Sequence, residues 1–378
     1  MQDHQQKYLS LCDDFLRYKS LPDYINAVAE DLDWIKKTSA KEIPVTGFAK
    51  LLRRKSKPYL YEPKLYLYHL LDAVELHWEY ARSNKHGAPY TLIFMSYYLA
   101  CKNNDMGLFQ RGLYQYSRRN AVKFGMLGNS GTDHCLNTYK AIYGLAAADA
   151  ELFSKLLPER LGRSNNGNPF DCMMTNIAMG LWYRNRTLLT EGLETARKRQ
   201  TLKNETKLCK ILGRYMLALA DKDAESASVA LNEFCQNAAY DKEGTFHISV
   251  DGAPYMDLIS PFAHGLYNLA FYVLDKDTFS QIRRPISRFD TDYADWLIAE
   301  NFPAPCSLVD FQNEMSVVNI LFELIPEASV SRPYKDENRF YIDGEAFREK
   351  LMAALAGKID LEQHFKRYNA VSYREVSS

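Results

Sequence analysis

MLALADKDA, residues 216–224, is an apolar stretch that closes on a short polar turn, and the chain repeats this arrangement. Four leucines precede such turns, at intervals of 46, 36 and 36 residues. Recurrence in this range is typical of stacked αα-hairpins, in which each pair of helices buries a face against the next pair. The leucines are Leu99, Leu145, Leu181 and Leu217, and the turns are at residues 102–105, 147–150, 183–186, 221–224 and, for a fifth unit, 275–278. The sequence therefore predicts an all-α fold of stacked antiparallel helical hairpins, with the character of tetratricopeptide repeats or an α-solenoid.

Composition narrows the class of protein. With 378 residues, 47% of them hydrophobic, the chain is long enough for one large or two ordinary globular domains. Lys+Arg and Asp+Glu are equal at 47 each, which argues against a general nucleic-acid binder because neutralising phosphates needs a concentrated basic surface. The sequence lacks an apolar run of about 18 residues, so we expect no membrane-spanning helix.

Cysteine usage and the first residues bear on location. The seven cysteines are odd in number and scattered, without a CxxC pair, which is typical of reduced thiols in the cytosol. The polar start of the chain shows no basic segment followed by an apolar one, so we expect no secretory signal. We therefore predict a cytoplasmic protein, whose oligomeric state the sequence leaves open.

The regular spacing is interrupted once. Residues 241–259 alternate polar and apolar side chains and predict a short β-hairpin or an irregular loop, two alternatives that the sequence leaves open. Three regions follow from this pattern: residues 1–88 as an N-terminal helical region, 89–284 as the hairpin repeats, and 285–378 as a C-terminal helical region packed on the repeats. We expect them to form one continuous fold.

Capping residues predict several element boundaries. Asn168 followed by Pro169 is a cap and first-turn proline at the start of the third unit, and Asn204 is the predicted cap of the fourth. Near the C-terminus, residues 311–324 predict a helix and residues 339–344 a short strand and turn.

Catalytic and metal motifs are weak. The sequence has no phosphate-binding glycine loop, nucleophile elbow or HExxH motif. His69 and His77 lie eight residues apart on a predicted helix, about 12 Å along its axis, so they cannot share one metal ion. Asp133, His134 and Cys135 are adjacent, and we interpret them as a capping Asp, a half-buried His and a core Cys. We predict no metal, no cofactor and no enzymatic activity.

The best location for a catalytic pocket is the interruption and the helix after it. His247 and His264 flank this part of the chain, with Asp251 and Asp257 between them. An α-helical enzyme using these groups is the least favoured of three hypotheses, and it requires them to converge in one pocket.

Two segments are the predicted partner contacts. Residues 240–255 depart from the repeat, and residues 289–296 combine acidic with aromatic side chains, which suits a basic protein partner because charges steer the encounter and aromatics anchor it. A solvated helix start is the alternative for the second segment, since Asp is common at N-caps. The predicted contact residues are Tyr240, Phe246, His247, Asp251, Tyr255, Asp290, Asp292, Tyr293, Asp295 and Trp296.

The block from about residue 89 to 237 resembles the immunity protein 49 family of bacterial polymorphic toxin systems. The resemblance is carried by residues 96–100, 141–146 and 216–224, which precede or contain hairpin turns. It implies a cytoplasmic immunity protein that binds the toxic domain of a secreted effector and occludes its active site or substrate channel. The alternative hypothesis is a helical-repeat adaptor that binds a regulatory protein or peptide.

Overall fold

The computed structural model describes residues 3–15, 18–39, 91–127, 131–237, 258–312, 316–332 and 339–356, to which all structural statements refer. These residues are mostly helical, which confirms the predicted all-α class. The helices are α1 (Asp3–Phe15), α2 (Leu21–Ser39), α3 (Thr91–Asn103), α4 (Met106–Leu127), α5 (Thr138–Ala146), α6 (Ala150–Leu156), α7 (Pro169–Trp182), α8 (Arg186–Gln200), α9 (Lys207–Asp221), α10 (Ala224–Asn237), α11 (Pro261–Val273), α12 (Lys276–Ser280), α13 (Thr291–Ala299), α14 (Val317–Glu323) and α15 (Gly344–Ala356). Within the described ranges, none of them is long and apolar enough to cross a membrane.

The chain divides into two compact units. The first comprises Met1–Leu16, Leu92–Leu308 and Ile325–Phe347, and the second comprises Arg17–Thr91, Val309–Leu324 and Arg348–Ser378. Each unit draws on both early and late segments, so its limits differ from the predicted regions 1–88, 89–284 and 285–378. The first unit contains the hairpins and all of the sites described below.

The hairpins occur where the sequence predicts them: α3/α4, α5/α6, α7/α8, α9/α10 and α11/α12. The first four turns share one backbone geometry, with a left-handed residue at Asn104, Ala148, Arg184 or Lys222 (φ 51, 62, 54 and 54°). The next residue, always Asp or Asn, donates its N–H to the carbonyl five residues earlier at 2.9–3.0 Å, as in a Schellman motif. Its side chain then accepts an N–H from the first turn of the following helix. One short sequence thus ends a helix and starts the next.

Of two predicted helix caps, one is confirmed and the other is wrong. Asn168 accepts a hydrogen bond from the N–H of Phe170, with Pro169 at the start of α7, as predicted. The prediction of Asn204 as the cap of α9 is wrong, because Thr206 accepts from the N–H of Cys209 instead. Since α9 begins at Lys207, only the residue at position 206 is placed to reach that N–H.

The described C-terminal segments also depart in part from the prediction. Helix α14 begins at Val317 instead of residue 311. The side chain of Asn319 donates to the carbonyl of Phe311, which a helix starting at residue 311 would use for its own first hydrogen bonds. A two-residue strand, β1 (Val330–Ser331), pairs antiparallel with β2 (Tyr341–Ile342), which confirms the strand predicted within residues 339–344. The insertion near 241–259 lies almost wholly outside the described residues.

Helix α11 is the central helix of the first unit, and its residues 261–270 are all buried. A Cβ at Gly265 would lie 2.1 Å from the carbonyl oxygen of Ile142, so the backbones of α11 and α5 are in direct contact. The carbonyl of Leu266 accepts the Tyr215 hydroxyl of α9 at 2.7 Å. The fifth hairpin therefore packs across the second and fourth, which goes beyond the neighbour-to-neighbour contacts of a simple solenoid.

Candidate functional site

The segment that leads into α13 contains a buried carboxylate. Asp290 is fully buried, and its Oδ1 caps the helix by accepting the N–H of Tyr293 at 2.8 Å. Its Oδ2 accepts hydrogen bonds from the hydroxyl of Tyr97 and from Nε2 of Gln5, the latter at 3.0 Å, and Nε2 of His4 lies 3.3 Å away. One carboxylate thereby joins α1, α3 and α13.

Aromatic rings surround this carboxylate. Phe109 packs against both Tyr97 and Tyr293, with ring centroids 4.8 Å apart in each pair. The hydroxyl of Tyr293 donates to the carbonyl of Ala146 at 2.7 Å. Asp290 and Tyr293 are thus interior groups, and their prediction as partner contacts is corrected because neither side chain reaches the surface.

Electrostatics agree with this structural role. Burial acts to raise the pKa of Asp290, but hydrogen bonds from His4, Tyr97 and Gln5 outweigh it and hold that pKa below its ordinary value. His264, stacked on Phe289 at 4.0 Å, accepts the backbone N–H of Asp290 at its Nε2. Complete burial lowers the pKa of His264 to about 3, so the ring is neutral at pH 7. His264 is an internal hydrogen-bond acceptor here, and its hypothesised partners His247, Asp251 and Asp257 lie outside the described residues.

The other half of the segment faces outward. Asp292 is partly exposed and accepts Nε2 of Gln5 at 2.9 Å, and Asp295 is exposed and forms an ion pair with Arg284. Trp296 lies over the start of α4, where a Cβ at Gly107 would be 3.3 Å from its indole. The spacing i, i+3 and i+4 places Asp292, Asp295 and Trp296 on one face of α13. We call these three residues the α13 face.

Sequence reasoning missed Arg284 as a member of this site. The pair Arg283–Arg284 resembles a solvated basic helix end, and nothing local shows that Arg284 reaches across to α13. The other predicted contact residues, Tyr240, Phe246, His247, Asp251 and Tyr255, lie outside the described residues.

A second cluster contains Asp133, Cys135 and Cys172, whose ligand-type atoms all lie within 4.8 Å of one another. Oδ1 of Asp133 accepts from the N–H of Cys135 at 2.9 Å and the hydroxyl of Ser164 at 2.6 Å. Its Oδ2 accepts the N–H groups of Asn165 and Asn166 at 2.7 and 2.8 Å. A cation would have to displace these four donors, so this set fits a metal poorly.

The structure of this cluster confirms one interpretation made from the sequence and corrects another. Asp133 caps the short 3-10 helix His134–Asn137, as interpreted from the sequence. His134 is fully buried instead of half-buried, and burial lowers its pKa. Through these hydrogen bonds, Asp133 therefore holds the loop between the second and third hairpins in place.

The fold and the α13 face define an all-α, hairpin-built protein with an acidic and aromatic surface on a helix that a buried carboxylate caps. Comparison with protein-family models, curated proteins and solved structures finds no match to this chain.

Proposed function

We propose that this chain is a cytoplasmic immunity protein that binds a cognate toxin domain and neutralises it without chemistry of its own. The observation that supports the proposal is the construction of the α13 face. Its backbone is anchored by the hydrogen bonds of the buried Asp290 carboxylate and of Tyr293, while Asp295 is exposed and Asp292 and Trp296 are partly exposed. Preorganised surfaces lose less conformational entropy on binding, which favours tight complexes.

The mode of inhibition that we propose is occlusion. The carboxylates of Asp292 and Asp295 supply hydrogen-bond acceptors to Lys or Arg side chains of the toxin, and the indole of Trp296 supplies apolar contact area. A bound helical protein of this size then covers the toxin's active site or the channel that leads to it. Such inhibition requires slow dissociation more than any catalytic group.

The test is co-expression with any toxic domain that is encoded beside this gene. We expect wild-type protein to restore growth and to co-purify with the toxin, and Asp295→Lys with Trp296→Ala to lose both effects. Glu194→Lys is the matched control, because it reverses an exposed acid on α8, away from the α13 face. If wild-type protein neither rescues growth nor forms a complex, the proposal is wrong, and capture of a regulatory peptide instead would favour the adaptor hypothesis.

A further inference from the structure

We infer that Cys135 and Cys172 form a peroxide-reactive thiol pair, in which a peroxide oxidises Cys172 and Cys135 then closes an internal disulfide. This pair has no part in the proposed function, so its test needs no toxin. Both thiols are free in the structure, and six of the seven cysteines are buried. Single buried thiols are inert as a rule, so reactivity here requires a specific arrangement of the two.

The two sulfurs lie at the joint between the second and third hairpins. Cys135 belongs to the 3-10 helix His134–Asn137, Cys172 is near the start of α7, and their sulfurs are within 4.8 Å of each other. A disulfide needs a sulfur separation of about 2.05 Å, so each sulfur would have to move by less than about 1.5 Å. Rotation about each Cα–Cβ bond supplies a movement of this size.

Gly167 leaves space beside both sulfurs. A Cβ at this residue would lie 2.4 Å from the sulfur of Cys135 and 3.5 Å from that of Cys172, so a larger residue would occupy the volume that the sulfurs share. The backbone next to it is held in place, because Asp133 accepts the N–H groups of residues 165–166. The two thiols therefore border one small volume that no side chain of residue 167 fills.

The surroundings make Cys172 the more reactive thiol. Cys172 is the most exposed of the six buried cysteines, at 9%, whereas Cys135 is 1% exposed. Its place near the start of α7 is close to the positive end of the helix dipole, which favours the thiolate. Hydrogen bonding with Cys135 lowers the pKa of Cys172 in spite of burial, and the same bond, together with burial, raises the pKa of Cys135. The thiolate is the form that attacks a peroxide, so Cys172 reacts first.

The reaction balances in two steps. The Cys172 thiolate attacks one oxygen of hydrogen peroxide, the O–O bond breaks, and the leaving hydroxide takes up the proton that the Cys172 thiol released. Cys172 is then a sulfenic acid, and the first water has formed. The sulfur of Cys135 attacks the sulfur of Cys172, the S–O bond breaks, and the hydroxide leaves with the Cys135 proton as a second water. Two thiols and one peroxide thus give one disulfide and two waters.

The experiment treats the folded full-length protein with hydrogen peroxide and maps its cysteines by mass spectrometry. A Cys306→Ser background removes the exposed thiol. We expect a peptide linked through Cys135 and Cys172, about 2 Da lighter than the two thiol peptides together, and its return to thiols with dithiothreitol. Cys209 and Cys235 are the internal controls, because they are buried outside this pair and should stay reduced.

Two single variants test the order of reaction. With Cys135→Ser, Cys172 should still be oxidised but should stop at the sulfenic acid, which dimedone captures. With Cys172→Ser, Cys135 should remain a free thiol. Serine is close to cysteine in size, and circular dichroism checks that each variant is folded. The linked peptide of the parent protein does not depend on either variant.

Three results would overturn the inference. The pair is unreactive if both thiols survive a peroxide exposure that oxidises Cys306 in the wild-type protein. Oxidation of Cys209 and Cys235 at the same rate would show that the protein reacts only by unfolding. Oxidation of Cys135 at an unchanged rate in Cys172→Ser would contradict the order of attack. Each of these results leaves the immunity function to be decided by its own co-expression test.

Discussion

Asp133 holds a loop together through a single carboxylate. Its two oxygens accept four hydrogen bonds, three of them from residues 164–166 of the joint that leads into α7. Asp133→Asn replaces one acceptor oxygen by a donor that faces the same N–H groups. We expect the free energy of unfolding to fall by about 3 kcal/mol, since buried donors would lose their acceptor. Urea denaturation measures this, with the exposed Asp277→Asn as control, and a loss below about 0.5 kcal/mol would contradict it.

His264 makes stability depend on pH. Its pKa of about 3 in the folded protein lies below the value of about 6.5 in an unfolded chain, so the unfolded state takes up the proton first. Stability from this group is complete above pH 6.5 and falls as the pH drops towards 3. We expect a loss of about 2 to 3 kcal/mol between pH 6.5 and pH 4.5.

The His264 prediction is isolated by a variant. His264→Gln keeps an acceptor for the N–H of Asp290 but cannot titrate, so the slope of stability against pH should decrease by about one proton. The charged or titratable groups that face the ring, Asp290 and His4, are unchanged in this variant. His134 is also unchanged, and its lowered pKa contributes to the pH dependence of stability over the same pH range. A slope identical to that of wild type would show that His264 does not titrate as argued.

At the residue scale, the sequence predicts local roles such as helix capping better than it predicts which side chains are buried. Capping by Asp133, Asn168 and Asp290 follows from a few neighbouring residues. The burial of Asp290 depends on Gln5 and Tyr97, which are 285 and 193 residues away. A segment rich in acids and aromatics thus predicts one outward surface, whereas the folded chain divides it into an inward and an outward half.

At the scale of elements, the recurring turn is strained in a way that can be relieved. Arg184 has φ of 54°, in the left-handed region that favours glycine at this position of a Schellman motif. We expect Arg184→Gly to raise the free energy of unfolding by about 0.5 to 1 kcal/mol, because a Cβ no longer approaches the backbone. Arg184→Ala is the matched control and should have little effect. Equal stability of the two variants in denaturant melts would argue against strain.

These turns explain why the hairpins could be predicted. Each combines Ala or Gly with an Asp or Asn five residues later, as in Ala100 with Asp105 and Gly180 with Asn185. The two residues of the motif lie close together in the sequence, so the motif can be recognised from the sequence alone. The cap at Thr206 was missed because the joint before α9 offers several polar residues, and the choice among them depends on where the helix begins.

At the scale of the molecule, periodicity could not show how the hairpins close on one another. Asn268 donates to the carbonyl of Leu145 at 2.7 Å, and Tyr272 donates to the carbonyl of Ala148 at 3.1 Å. Both bonds join the fifth hairpin to the second over more than 120 residues of sequence. Regular spacing shows which helices pair within a hairpin, whereas contacts between distant hairpins depend on side chains such as these.

The contact of α11 with α5 therefore decides whether the first unit unfolds as one body. Gly265→Ala would bring a Cβ to 2.1 Å from the carbonyl oxygen of Ile142, a backbone atom that cannot move aside without shifting a helix. We expect a loss of at least about 3 kcal/mol, although Ala raises helix propensity by about 1 kcal/mol. Gly213→Ala is the matched control within α9, because its new Cβ meets only the flexible end of Gln200.

The two glycine variants also test cooperativity. If α11 holds distant hairpins together, Gly265→Ala should shift equally the transitions followed by the fluorescence of Trp182 alone and of Trp296 alone, each measured in a background whose other three tryptophans are replaced by Phe. An array with neighbour contacts alone would instead lose the fifth hairpin first and retain the others. Separate transitions, or equal stability of Gly265→Ala and Gly213→Ala, would show that α11 is dispensable to the rest. Because the α13 face follows α11 in the chain, a cooperative result would also mean that the proposed binding surface persists only while the whole unit is folded.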